Sequence, residues 1–240
     1  MTEFSIKIAD RVICCHVQFA STEKYCADYV VVEPADFTVT VHQDDIAKER
    51  EYDRREKELE GLPVRAFSDS YLEPLALYRK IADRLVEFDT LLFHGSVVAV
   101  DGQSFLFTAK SGTGKSTHTR LWRKLFGERA VMVNDDKPLL KIDTNGVQVC
   151  GTPWDGKHKL STNCMLPLKA ICILERGEEN QICQISASEA LPMLMQQCHR
   201  PSNVLKYMDL LDKLTNIMAF YRLQCNMDEE AARISYEAMR

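Results

Sequence analysis

The strongest chemical signal in the sequence is the run Ala109-Lys110-Ser111-Gly112-Thr113-Gly114-Lys115-Ser116-Thr117. It follows the apolar stretch Ser104–Thr108 and leads into a helical-looking segment, Lys115–Phe126, closed by Gly127. Glycines at 112 and 114 let backbone N–H groups converge on phosphate oxygens, and the start of the helix adds its partial positive charge. A lysine at 115 reaches the outer phosphates and a hydroxyl at 116 can ligate magnesium. This is the chemistry of a phosphate-binding loop for ATP and Mg2+, with Ser111, Gly112, Thr113, Gly114, Lys115, Ser116 and Thr117 as the cofactor-binding residues. The complete pattern asks for glycine where this chain has Ala109, and alanine fits there only if its φ is negative.

Three further groups of residues bear on the same chemistry. Asn134-Asp135-Asp136 directly follows the short apolar run Ala130–Val133. One carboxylate at that point could hold Mg2+ opposite Ser116, and its neighbour could accept the proton of an attacking hydroxyl; the plainer alternative is an exposed acidic turn. His94, read as lying on a strand that pairs with the one feeding the glycine loop, is a candidate for tuning the base or binding phosphate, because imidazole titrates near neutrality. The segment Gly151–Lys159 (GTPWDGKHK) reads as a site loop in which Lys157 or Lys159 meets a phosphate and Trp154 packs against a ligand, or else as a connection with Trp154 buried. Lys110, Arg120 and Arg123 read as a solvated face.

The elements that must position these groups follow from periodicity. Residues 91–100 and 104–108 read as strands joined at Asp101-Gly102, a dipeptide suited to a tight hairpin because both positions can take positive φ. A second hairpin turns at Asn145-Gly146, further strands cover KAICILE and QICQISA, and helices cover Ser188–His199, Ser202–Phe220 and Asp228–Met239. Upstream, Phe4–His42 alternates short β-rich runs with polar turns and predicts a small sheet. Asp44–Glu60 is a charged, solvated helix or crossing segment stopped at Gly61-Leu62-Pro63, and Ser68 or Asp69 caps a helix with Pro74 near its first turn. The expected division is 1–90, β-rich with helices and a candidate for acceptor recognition, and 91–240, a kinase core with C-terminal helices.

Composition bounds the function classes. With 240 residues, 45% hydrophobic and 27% charged, the chain can bury a core. A net charge of -5 argues against a nucleic-acid surface. No stretch approaches the roughly 20 apolar residues of a membrane span, and the N-terminus lacks a signal-peptide pattern, which predicts a cytoplasmic protein with no membrane partner. The 9 cysteines are odd in number and scattered, arguing for reduced thiols. Cys14-Cys15-His16 and Cys198-His199 have metal-ligating types, but adjacent residues on a strand point to opposite faces, so no metal site is assigned there.

Taken together, FHGSVV, SGTGKST, NDDK and GTPWDGK resemble the catalytic domain of HPr kinase/phosphorylase and its smaller relatives over about residues 91–186, a family whose nucleotide core is similar to that of phosphoenolpyruvate carboxykinase. The resemblance implies an α/β fold with a mixed-sheet P-loop kinase core, a small β-rich N-terminal portion and C-terminal helices. It implies His94 and the pair Asp135 and Asp136 as catalytic residues, one aspartate as general base and the other as metal support beside Lys115 and Ser116. Our reading of the residues takes Asp135 as base, Ser116 and Asp136 as metal ligands, and Lys157 as a further source of positive charge. The implied activity is ATP-dependent phosphorylation of a hydroxyl on a peptide, protein or small molecule, and self-association is left open. A non-catalytic ATP-binding regulatory module and, below it, a carboxykinase-like enzyme are the alternatives.

Overall fold

A computed structural model describes residues 1–59, 61 and 63–240, so the expected end of the charged segment at Glu60 and the Leu62 of its stop signal lie outside the described residues. The chain divides into two compact units, Met1–Arg84 and Leu85–Arg240.

The first unit is built on β1 (Thr2–Ile8), β2 (Arg11–Val17), α1 (Ala20–Tyr25), β3 (Val30–Val31), β4 (Phe37–Thr40), α2 (Gln43–Leu59) and most of α3 (Asp69–Leu85). Its sheet runs β3-β1-β2-β4, with β2 and β4 parallel and the other pairs antiparallel. Ala9 and Asp10 both take positive φ (49° and 59°), the geometry of a two-residue hairpin turn between β1 and β2. Strand alternation buries Phe4, Ile6, Ile8, Ile13, Cys15 and Val17 and leaves Glu3, Ser5, Lys7, Cys14 and His16 on the opposite, open face.

The charged segment is the helix α2, and it is less solvated than its composition suggests. Ile46 and Glu49 are buried, Arg79 donates to both Glu49 oxygens at 2.7 and 2.9 Å, and Lys80 pairs with Asp45 at 2.7 Å. Pro74 lies inside α3, deeper than the first turn expected for it.

The second unit contains β5 (Thr90–Leu92), β6 (Ser96–Val100), β7 (Gln103–Thr108), α4 (Lys115–Phe126), β8 (Ala130–Asn134), β9 (Leu139–Asp143), β10 (Gly146–Cys150), β11 (Met165–Arg176), β12 (Gln181–Ile185), α5 (Ala187–Gln197), α6 (Val204–Ile217), β13 (Ala219–Cys225) and α7 (Glu229–Met239). The sheet order is β5-β9-β10-β11-β7-β6-β8, and β13 pairs with both β11 and β12. β7, β11 and β13 are mutually parallel through β11, and the remaining pairs are antiparallel, so the sheet is mixed.

Both faces of the central strands are covered. Val97, Ala99, Leu106, Ile171 and Ile173 point into one apolar cluster with Leu194, Leu210, Leu211 and Leu214 of α5 and α6. Val98, Val100, Phe105, Phe107, Cys172 and Leu174 point into the other, with Trp122 of α4 and Ala232 and Met239 of α7. Strands buried on both faces need apolar residues at successive positions, as in Phe105-Leu106-Phe107 and Ile171-Cys172-Ile173-Leu174.

In the second unit two features depart from the sequence reading. The run expected as one strand at 91–100 is broken at Phe93-His94-Gly95, so β5 pairs with β9 while β6 pairs with β7 and β8. The helix expected to Phe220 ends at Ile217, and β13 follows it to lie between β11 and β12. Among the described residues no helix is long and apolar enough to cross a membrane.

Candidate active site

The glycine loop connects the end of β7 to the start of α4. Gly112 and Gly114 have φ of +74° and +119°, which explains why these two positions are glycine. Ala109 is not among the positive-φ residues; it is fully buried in the cluster with Phe107 and Trp122, so alanine costs no backbone strain there and adds packing. The α4 N-terminus has no side-chain cap, unlike α5, where Ser186 and Glu189 form a reciprocal capping box, and α6, capped by Asn203. Orphan N–H groups at such a helix start can take an anion.

Lys115, the first residue of α4, is half buried, and its ammonium donates to the Ala109 carbonyl at 3.4 Å. Burial lowers its ammonium below the ordinary lysine value, while the charges of Asp136 and Asp135 act in the opposite direction. A partly desolvated cation with no close ion pair among the described residues, beside an uncapped helix start, fits an anionic ligand. Ser116 and Thr117 occupy the same turn.

The acidic pair follows the end of β8. Ser96 donates to Asp135 Oδ1 at 2.6 Å and lies 3.0 Å from the Thr119 hydroxyl, so a buried bridge ties Asp135 to the first turns of α4. Asp136 faces His94, whose Nε2 lies 3.4 Å from Oδ1. Burial alone would raise the Asp136 carboxyl; the hydrogen bond from His94 and the charges of Lys137, His94 and Lys115 outweigh it and hold the group below the usual carboxylate value. His94 itself is not on a strand as expected but in the break between β5 and β6, fixed by its N–H to Gln197 O at 2.8 Å and by Thr108 donating to its carbonyl at 3.1 Å.

Asn134 is the residue whose importance the sequence reading underrated. Its side-chain oxygen accepts from the N–H groups of Asp136 and Lys137 at 2.9 and 2.7 Å, shaping the acidic turn. Its amide donates to the carbonyl and hydroxyl of Thr152 at 3.1 and 3.0 Å, joining that turn to the loop 151–159. The loop also presses on the acid from its other end: a Cβ on Gly156 would lie 3.1 Å from Asp136 Cβ.

Trp154 is buried, as in the second of the two readings of this loop, and its carbonyl accepts from the Asn134 amide at 3.4 Å. Lys157 is exposed, and among the described residues no hydrogen bond or ion pair joins it to the acidic pair, whereas Lys159 pairs with the buried Asp155 at 3.4 Å.

A cavity of about 490 Å³ opens on the other side of the glycine loop, lined by Gly112, Thr117, Leu121, Leu174, Arg176 and Met227 among others. It lies where the carboxyl ends of the parallel strands β7, β11 and β13 meet, the usual ligand crevice of an α/β sheet. Arg176 at the end of β11 donates to the Gly112 carbonyl at 2.6 Å and so braces the loop. The sequence reading missed Arg176, which reaches the loop through the parallel pairing of β11 with β7, and Met227, which lines the cavity just after the unforeseen β13.

Fold and site define a mixed-sheet α/β protein in which a strand, a glycine loop and an uncapped helix start lie between a cavity and a histidine-flanked acidic pair. The chain belongs to the ScmC family, described as SynChlorMet cassette protein ScmC, which matches residues 71–219, more than half of its length. No curated protein matches it. Among solved structures it is similar to the Hpr(Ser) kinase/phosphatase from Coxiella burnetii at 11% identity and a TM-score of 0.34, covering 62% of this chain and 97% of that one.

Proposed function

We propose that the protein is an ATP-dependent phosphotransferase acting on a hydroxyl group. The observation that carries this reading is the placement of Lys115: it starts an uncapped helix behind two positive-φ glycines and feels the charges of both Asp135 and Asp136. The orphan amides of the loop and Lys115 would cradle the β and γ phosphates, and the cavity bounded by Leu121, Leu174, Arg176 and Met227 has the size and apolar walls for a nucleoside. Bound Mg2+ would neutralise phosphate charge, with Ser116 and Asp136 as its protein ligands.

A carboxylate held ionised makes a good cation ligand, which suits Asp136, and the proton of the acceptor hydroxyl goes to its neighbour Asp135, which Ser96 holds in place. His94 orients Asp136. Catalysis would rest on positioning and charge stabilisation, as phosphoryl transfer generally does. The acceptor is a hydroxyl of a peptide, protein or small molecule. Incubation with γ-labelled ATP and a peptide or lysate pool tests the reading: label transfer that is lost in Asp135→Asn supports it, and ATP binding without transfer to any acceptor would replace it with a nucleotide-sensing module.

A further inference from the structure

The open face of the N-terminal sheet gathers three metal-ligating side chains that the proposed phosphotransfer site does not use. Glu3 on β1 stands directly opposite His16 on β2, and Cys14 lies two residues before His16 on the same face. Their donor atoms all lie within 4.8 Å of one another: His16 Nε2 is 3.5 Å from Cys14 Sγ and 3.1 Å from Glu3 Oε2.

We propose that Glu3, Cys14 and His16 form a binding site for a divalent cation of the zinc class. An ion pair on a sheet surface requires only Glu3 and His16; a thiol converging on the same imidazole nitrogen from the same face makes a three-donor set. The spacing suits the ion. Zinc bonds of about 2.3 Å to sulfur and about 2.0–2.1 Å to nitrogen, at a tetrahedral angle, separate the two donors by about 3.5 Å. That is the distance found between Sγ and Nε2. For nitrogen and carboxylate oxygen the same arithmetic gives about 3.4 Å, reached by a small movement of the exposed Glu3 side chain from its 3.1 Å position.

Thr40 on β4 supplies the outer contact that metal-bound histidines commonly have: its hydroxyl is 3.4 Å from His16 Nδ1. A proton on Nδ1 donated to Thr40 leaves the Nε2 lone pair facing Cys14 and Glu3. A thiolate and an imidazole select zinc-like ions over magnesium or calcium, so this site is chemically distinct from the one proposed at Ser116. Binding converts the Cys14 thiol to a metal-bound thiolate and releases its proton to solvent. The thiolate and the Glu3 carboxylate balance the two positive charges, and the fourth position is open to water or an exogenous ligand.

The test uses the full chain, stripped with a chelator and titrated with Co2+, whose thiolate charge-transfer band and tetrahedral d–d bands report this ligand set. The expected result is saturation at about one equivalent, displacement by Zn2+, and affinity at least about tenfold weaker in Cys14→Ser and His16→Gln. Thr40→Val should weaken binding about tenfold without removing the thiolate band. Circular dichroism checks the fold of each variant. Because Glu3 is exposed, Glu3→Gln keeps the test decisive should a β2 variant misfold: unchanged Co2+ affinity there overturns the three-donor site. Absence of the thiolate band in the parent chain, or its persistence in Cys14→Ser, also overturns the proposal.

Discussion

Replacing Gly156 with alanine separates a backbone cost from a displacement of Asp136. Gly156 has φ of +75°, and its added Cβ would meet Asp136 Cβ at 3.1 Å. Gly102, in the β6–β7 turn, has a similar φ of +80° with nothing within 4 Å of its added Cβ, which makes Gly102→Ala a matched control. Placing alanine in the left-handed region costs about 1–2 kcal/mol in either position. For a unit of this size that is a fall in Tm of about 2–8 °C. Only Gly156→Ala must also relieve a contact shorter than the ordinary carbon separation of about 3.5–4.0 Å, which moves the acid or the loop by about half an ångström.

Misplacement on that scale of the carboxylate proposed to hold Mg2+ lowers transfer by about 10–100-fold. Thermal unfolding and label transfer from γ-labelled ATP are to be measured for both variants. Matching Tm losses with transfer reduced only in Gly156→Ala support the geometry. If transfer in the two variants agrees within about twofold, the contact between the loop and Asp136 does not govern the chemistry.

Lys115→Ala removes a charge-assisted contact worth about 1.5–3 kcal/mol and should weaken ATP binding about 10–150-fold in calorimetry, with Tm little changed; unaltered affinity would remove the phosphate-loop assignment. Asp135→Asn should abolish transfer while keeping Mg2+-dependent ATP binding, whereas Asp136→Asn should weaken that Mg2+ dependence as well, and the reverse pattern would exchange their roles. Burial lowers the His118 pKa to about 3, so the folded protein binds fewer protons than the unfolded chain between pH 6.5 and 3, and stability present above about 6.5 is lost as pH falls. Between pH 7.5 and 5 the loss is about 2 kcal/mol, and urea titrations should show a flatter pH dependence in His118→Gln; an identical slope would refute the assignment. Glu73, fully buried, accepts from the N–H groups of Gln18 and Phe19 and from the Thr22 hydroxyl, so Glu73→Ala should destabilise the first unit by about 3–5 kcal/mol in denaturant titration.

What the sequence revealed was local. The Asp101-Gly102 turn was legible because both residues take the positive φ their types favour, and the glycine loop because strand, loop and helix are consecutive. Asp135 and Asp136 were placed by the apolar run before them. The rest depended on distant pairings. β13 escaped because Ile217-Met218-Ala219-Phe220 continues the apolar character of α6 while the backbone changes to a strand whose partner, β11, lies about fifty residues earlier. His94 was drawn into a strand since nothing in Phe93-His94-Gly95 shows that β5 and β6 join different neighbours. Cys14 and His16 were dismissed by counting adjacent residues, when spacing by two and a cross-strand partner, Glu3, put them on one face.

The long strand β11 has consequences for how the chain is made. Its first residues pair with β10, and its later ones lie between β7 and β13. While the chain leaves the ribosome, β7, β10 and β11 can assemble, but the second edge of Ala170–Arg176 stays open until Ala219–Cys225 emerges. During that interval the nascent protein presents Ile171, Cys172, Ile173 and Leu174 along an unpaired apolar edge, the kind that recruits other chains. The strand that completes the crevice beside the glycine loop is therefore also the one that ends the period of greatest exposure to misassembly.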